Sequence, residues 1–328
     1  MAKLYRNINA MIVPTGIGAQ IGGFAGDATP AAKLLAKASD ILITHPNVIN
    51  AALLTDIPKN VIVLEGYLMD RFFANQILLR PNVKHKIALV MDVSASDTDK
   101  DITQNCLNAA KNVYGLDIVD DIFYTEKPVG ATLDSLPDPE DPKALEKYKN
   151  GQGLDPIGQI EAKISHLVSR QFLIPSAHAP VFDTPYEHEG VVAGKVAAEH
   201  LGNTYLASVF KCLQYSPRII PSAAALKLLV SDYTDPADLN LKASGEDIKV
   251  GDLANLVVPY DCCNAVPMIE ANNYEIELLT VLNNQTTLDD PADFYAIPHT
   301  VVNNYLEAAG YLLANTKDQD YINPNLFH

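Results

Sequence analysis

Short apolar runs alternate with helix-patterned stretches along this chain, and that alternation restricts the fold more than any other feature. The runs are AMIVPT (10–15), DILIT (40–44), NVIVLE (60–65), KIALVMD (86–92), DDIFYTE (120–126), RQFLIPSA (170–177), NLVVPY (255–260) and IELLTVL (276–282). Several are too short and too β-branched for helices. They also lack the polar alternation of a strand with one wet face, so they read as strands buried on both faces. Helical patterns lie between them at 30–39, 67–78, 101–114, 156–169, 189–213, 264–273 and 301–315. This order predicts an α/β fold: a mostly parallel sheet with helices on both faces. With 328 residues, 48% of them apolar, the chain can bury a large core in one domain or two lobes.

Two polar stretches interrupt the pattern. Residues 133–156, rich in Pro, Gly and charge, read as a surface excursion or a hinge between lobes 1–132 and 157–328. Residues 231–252 separate the helical middle from the last strands. Segments 40–66 and 255–282 share a layout of apolar strand, turn near Pro, Asn–Ala step, short helix and second strand. Duplication would make the lobes pseudo-symmetric, with loops 44–50 and 259–264 facing across a cleft. Two convergent βαβ units explain the layout equally.

The stretch PTGIGAQIGGFAGDATP (14–30) packs five glycines behind the first strand. Thr29 is placed to cap the following helix and Pro30 suits its first turn. A strand, a glycine loop and a helix N-terminus together cradle anions, because unpaired N–H groups and the helix dipole favour negative charge. Thr15, Gly16, Gly18, Gly22 and Gly23 are the candidate ligand contacts. The loop matches neither the G-x-G-x-x-G dinucleotide fingerprint nor a Gly-Lys-Ser/Thr P-loop. A compact turn that packs a helix on the sheet is the other explanation.

The segments VPTGIGAQIGGFAGDATPAAKLLA, THPNVINAA, SAHAP and YLEAAGYLLA resemble a family of uncharacterised proteins, a domain of unknown function found in cyanobacteria and plants. The resemblance runs over nearly the whole chain. It implies a soluble protein of cyanobacterial type with one family-wide domain, 1–328, and it supplies no mechanism.

In open α/β sheets ligands sit at the carboxyl ends of the strands. The polar residues expected there include Thr15, Gly16, His45, Asn47, Glu65, Asp92, His178, Asp261, Cys262, Asn283 and Asn284. Glu65, after the apolar VIVL, is a candidate base. In PYDCCNAVP (259–267), Cys262 or Cys263 at a helix start is a candidate nucleophile whose thiolate the dipole favours, while Asp261 opposes it. Cys262 is expected to face the cleft and Cys263 the core, with Asn264 among the ligand contacts. His178, Asp183 and His188 lie on one loop and could hold a divalent metal, although their spacing matches no tight signature. His45 could complete that set from another strand end. No four-ligand zinc pattern is present.

The net charge of −16 argues against nucleic acid and anionic membranes as partners. Four cysteines without a CxxC pair suit a reducing compartment. The N-terminus lacks a signal-peptide core and no run of 18 apolar residues occurs, so the expectation is a cytoplasmic protein. The function expected is an enzyme acting on a small anionic metabolite, with the glycine loop holding the anion and Cys262, Asp261, His178, His45 and Glu65 as the reactive candidates. Racemase or isomerase, lyase and hydrolase chemistry are not separated by these residues. A non-catalytic small-ligand or metal-binding protein and a structural assembly subunit are the alternatives, and homo-oligomerisation fits any of them.

Overall fold

The structure is a computed structural model that describes residues 7–13, 28–49, 57–81, 83–93, 95–125, 142–150, 156–178, 206–214, 216–222, 243–284 and 289–315. The first half builds β1 (Ile8–Met11), α1 (Thr29–Lys37), β2 (Ile41–Thr44), α2 (Pro46–Ile49), β3 (Val61–Val63) and α3 (Gly66–Phe73). Then follow β4 (Ile77–Arg80), β5 (Ile87–Asp92), α4 (Asp97–Asn112) and β6 (Ile118–Thr125). The middle supplies α5 (Pro142–Lys149), α6 (Pro156–Phe172), α7 (Leu206–Gln214) and β7 (Arg218–Pro221). The chain continues with β8 (Leu253–Pro259), α8 (Val266–Ala271), β9 (Glu277–Val281), β10 (Thr300–Val302) and α9 (Tyr305–Ala314).

Six strands form the central sheet in the order β3-β2-β1-β8-β9-β10. Every pairing in it is parallel. Counted by order of entry this is 3-2-1-4-5-6, the doubly wound arrangement whose switch point lies between its two central strands, β1 and β8. β1, β2, β3 and β8 are buried on both faces, as their apolar runs demand, while edge strand β10 is partly exposed. On one face Ile8, Ala10, Leu256 and Val258 meet Leu68, Phe72 and Met268 from α3 and α8. On the other, Met11, Val257 and Leu279 meet Leu35, Ala308 and Leu312 from α1 and α9.

The halves of the chain thus contribute three strands each to one sheet. Segments 40–66 and 255–282 are not positional equivalents. The first carries β2 and β3 to the sheet edge, whereas the second carries β8 and β9 outward from the centre, so β1-α1-β2 is the counterpart of β8-α8-β9.

Three expectations are corrected. RQFLIPSA (170–177) is no strand: α6 runs on to Phe172, and Leu173 turns the chain away at φ 51°. Thr29 does not cap α1; Ala28 occupies that position, without a side-chain cap. KIALVMD and DDIFYTE form a separate parallel pair, β5–β6, that is covered on one face only. Val90 keeps 58% of its surface exposed and Phe123 49%. Antiparallel β4–β7 makes a second small sheet among the described residues. Within the 133–156 excursion the described residues include α5.

At the amino end of the central sheet an amide network fills the seam. Asn255 donates to Asn9 Oδ1 at 2.7 Å, and Asn9 donates to Asn7 Oδ1 at 2.9 Å and Ser39 Oγ at 2.8 Å. Asn315 donates to Asn255 Oδ1 at 2.9 Å, and Asn7 donates to the Ala38 carbonyl at 2.8 Å. These contacts tie the last turns of α1 and α9 to β1 and β8, and they satisfy polar groups that would otherwise be costly to bury.

Candidate acid–base site

The carboxyl end of β3 runs directly into α3, and the junction is Glu65. It is the N-cap of α3, and its Oε2 accepts the Tyr67 N–H at 3.0 Å, where helix N–H groups and the dipole favour a carboxylate. Its Oε1 lies 2.6 Å from His166 Nε2 on α6. Glu65 is buried, while the His166 side chain is 45% exposed. A buried carboxylate with both oxygens engaged therefore holds an imidazole that reaches solvent.

α6 brings His166 here through a polar face inside an apolar helix. Ser165 and Ser169 are both buried. Ser169 Oγ meets Ser176 Oγ at 2.6 Å, and Ser176 Oγ donates to the Ser165 carbonyl at 2.6 Å. These bonds fold the segment after α6 back along the helix. They bring His178 Nδ1 to 2.9 Å from Ser165 Oγ. Each histidine thus has one ring nitrogen fixed by a neighbour, and among the described residues nothing bonds His166 Nδ1 or His178 Nε2.

Charge distributes unevenly over this cluster. The hydrogen bond that His166 donates to Glu65 raises the pKa of His166 against the opposing effect of burial. His178 moves the other way: desolvation by the surrounding chain lowers it although the ring keeps an exposed face, with the charge of Glu65 opposing and that of His166 adding. Desolvation raises Asp70, which Arg71 and His166 counter and Glu65 reinforces. The Arg71 guanidinium stands 5.2 Å over the Tyr67 ring, and among the described residues its buried Nε has no hydrogen-bond partner. The Tyr67 ring in turn lies 6.3 Å from that of His166. A histidine biased toward its cation beside one biased toward neutrality is an acid and a base in one place.

Of the sequence candidates, the structure brings Glu65 and His178 together and adds His166, which sequence reasoning missed. The available signal was SHLVSRQF (165–172), where two serines four residues apart flank a histidine on a helix that must bury one face.

His45 sits elsewhere. It is buried after β2, its Nε2 accepts the Val13 N–H at 2.8 Å, and desolvation lowers its pKa to about 4. It therefore anchors the end of β1 as a neutral ring. The expectation that Cys262 faces a cleft is corrected: it is 2% exposed, and Cys263 is fully buried. The Cys262 N–H bonds the Pro259 carbonyl and the Cys263 N–H the Asp290 carbonyl, so the turn folds both thiols inward. Desolvation raises the Cys263 thiol to about 11. α8 begins only at Val266, after exposed Asn264, and is too short to aim a strong dipole at either sulfur. Asp261 is half-buried, and desolvation followed by the charge of Asp289 raises its pKa. Asn47 is placed by its backbone, in α2. Thr15, Gly16, Gly18, Gly22, Gly23, Asp183 and His188 lie outside the described residues. Among the described residues no three His, Cys, Asp or Glu side chains are arranged to hold a metal ion, and no helix is long and apolar enough to cross a membrane.

Comparison with known proteins gives one family and one relative. The family described as protein of unknown function (DUF3326) matches residues 8–135 and 131–325. An uncharacterized lipoprotein, syc1174_c, from Synechococcus sp. (strain ATCC 27144 / PCC 6301 / SAUG 1402/1) is 32% identical over 343 residues, covering 93% of this chain and 90% of that protein. No solved structure matches.

Proposed function

For a chain that belongs to the DUF3326 family, whose function is unknown, we propose an enzyme that performs acid–base chemistry on a small anionic metabolite at the carboxyl edge of the central sheet. The observation that carries this reading is the 2.6 Å contact between buried Glu65 and exposed His166, with His178 beside them. Carboxylate-held imidazoles donate and accept protons efficiently near neutral pH. In the proposed site His166 is the acid and His178 the base, while Glu65 positions His166. Support for an anionic substrate comes from the cationic bias of His166. β1 ends at the same carboxyl edge, where doubly wound sheets hold their ligands. The buried thiols make Cys262 and Cys263 poor nucleophiles in this scheme.

Thermal-shift screening against small carboxylates and phosphate esters tests the proposal. A ligand at a hundred times its Kd stabilises the native state by about 2.7 kcal/mol. One or more such anions should raise Tm, and the shift should vanish in His166→Ala while that variant unfolds cooperatively. Anions that leave Tm unmoved, or a shift that survives in His166→Ala, would overturn the assignment.

We place the protein in the cytoplasm because four thiols suit a reducing compartment. The word lipoprotein in the relative's name favours a lipid-anchored alternative. Fractionation of cells expressing the full-length protein separates the two, since an anchored form sediments with membranes.

A further inference from the structure

The β5–β6 sheet is unfinished as it stands. Parallel strands are normally covered on both faces, and two strands alone make a marginal sheet. One face packs on α4 and α7 through Ile87, Ile118, Leu107 and Phe210. The other leaves the register partners Val90 and Phe123 in solvent. The edges matter as much as the face. β5 bonds β6 along one edge, and among the described residues no strand pairs with the other. The Ile87 N–H donates to the Asp117 carbonyl, on the β6 side, at 2.8 Å. Backbone groups of successive residues alternate between edges, so the N–H and C=O groups of Ala88 and Val90 belong to the open one.

We propose that β5 is a dimer seam, at which two copies of this chain pair antiparallel across a two-fold axis at Leu89 and complete a four-stranded sheet, β6-β5-β5-β6. The sequence is self-complementary in that register. Lys86 falls opposite the partner's Asp92, Ile87 opposite the partner's Met91, and Ala88 opposite the partner's Val90. The two-fold repeats each pair, so a basic and an acidic position stand opposite each other at both ends of the seam. An edge lysine ordinarily deters strand addition; here Lys86 is matched. The β6 edge offers no such fit, because Asp120 and Asp121 would gather against their own copies. The two-fold stands perpendicular to the sheet, which leaves α4 and α7 of both copies on one side. This inference does not depend on the acid–base site.

Sedimentation velocity on the full-length chain across the micromolar range is the test. The wild type should be a dimer. Ala88→Pro removes an N–H from the open edge without touching the β6 ladder, and it should give a folded monomer with unchanged circular dichroism. Lys86→Asp and Asp92→Lys should each weaken the dimer by about tenfold, the effect of a like-charge cross-strand pair on both ends of the seam, and the double reversal should restore it. A monomeric wild type would overturn the proposal. So would a dimer indifferent to the charge reversals, which must then use another face, such as the β10 edge with exposed Val301.

Discussion

Both ends of the central sheet bury polar side chains, and they do so with different chemistry. At the amino end Asn7, Asn9, Asn255 and Ser39 bond one another and the last turns of α1 and α9. Amides and hydroxyls do not titrate, so these side-chain bonds are the same at every pH. At the carboxyl end Glu65, His166, His178 and His45 carry the polar load, and the proton affinities of the histidines are displaced in opposite directions, up at His166 and down at His178 and His45. The first arrangement joins the two halves of the chain. The second leaves ring nitrogens available for exchange. The difference teaches that burial of a polar group signals function only when the group can change its charge.

The largest expected effect comes from breaking the silent end. Asn255→Leu fills a similar volume but leaves buried Asn9 Oδ1 without its donor and removes the acceptor of the exposed Asn315 amide, which together cost about 2–4 kcal/mol, most of it at Asn9. Urea unfolding at pH 7 measures it, and the loss should be the same at pH 5. A loss below 1 kcal/mol would mean that water replaces the missing amide.

The titrating end should show its effect only in acid. The folded pKa of His45 lies at about 4, below the ordinary 6.5. Its stability contribution is complete above pH 6.5 and is lost as pH falls toward 4, by about 3 kcal/mol. His45→Gln keeps an acceptor for the Val13 N–H and cannot protonate. That variant should match the wild type at pH 7.5 and exceed it at pH 4.5 in denaturant melts. Parallel pH profiles would remove His45 from the account.

Glu65→Gln is expected to act more gently on stability, since the amide oxygen can still cap α3. The raised pKa of His166 means that its pairing stabilises the fold below pH 6.5 and loses that effect as pH rises through the folded value. In the variant the His166 titration, followed by NMR, should fall toward the ordinary histidine value. An unmoved titration would show that some other group sets it. Smallest of all is Thr280→Val. The Thr280 hydroxyl is fully buried in β9, without a hydrogen-bond partner among the described residues. Its removal should raise stability by about 1 kcal/mol; a loss instead would reveal a hidden partner for that oxygen.

The doubly wound core was legible because strands buried on both faces must be continuously apolar, and VIV, ILIT and LVVP are. β4, β7 and β10 were missed. ILLR is as apolar as a helix segment and follows α3 after three residues, and the three-residue β10 leads straight into α9. The half-covered β5–β6 pair was read as fully buried because Val90 and Phe123 look no different in sequence from core residues. At the site, Glu65 and His178 were visible as polar residues behind apolar runs. His166 was not, because its role depends on α6 docking against α3, and no local pattern announces which helices meet. Cys262 misled for the opposite reason: its local context suits a reactive thiol, and tertiary packing overrides it.

The seam between β1 and β8 also sets a timetable. Asn9 and Asn255, which close it, are 246 positions apart. At cellular synthesis rates of roughly 5–20 residues per second, β1 waits roughly 10–50 s for the strand that belongs beside it. During that interval β1, β2 and β3 are on hand with an open apolar edge, and the contacts that would shield it have the longest sequence separation in the sheet. Such pairings form slowly even when the whole chain is present. A ribosome that stalls before residue 253 therefore releases an edge primed to pair with any other strand, and the yield of native protein depends on how quickly the last quarter of the message is read.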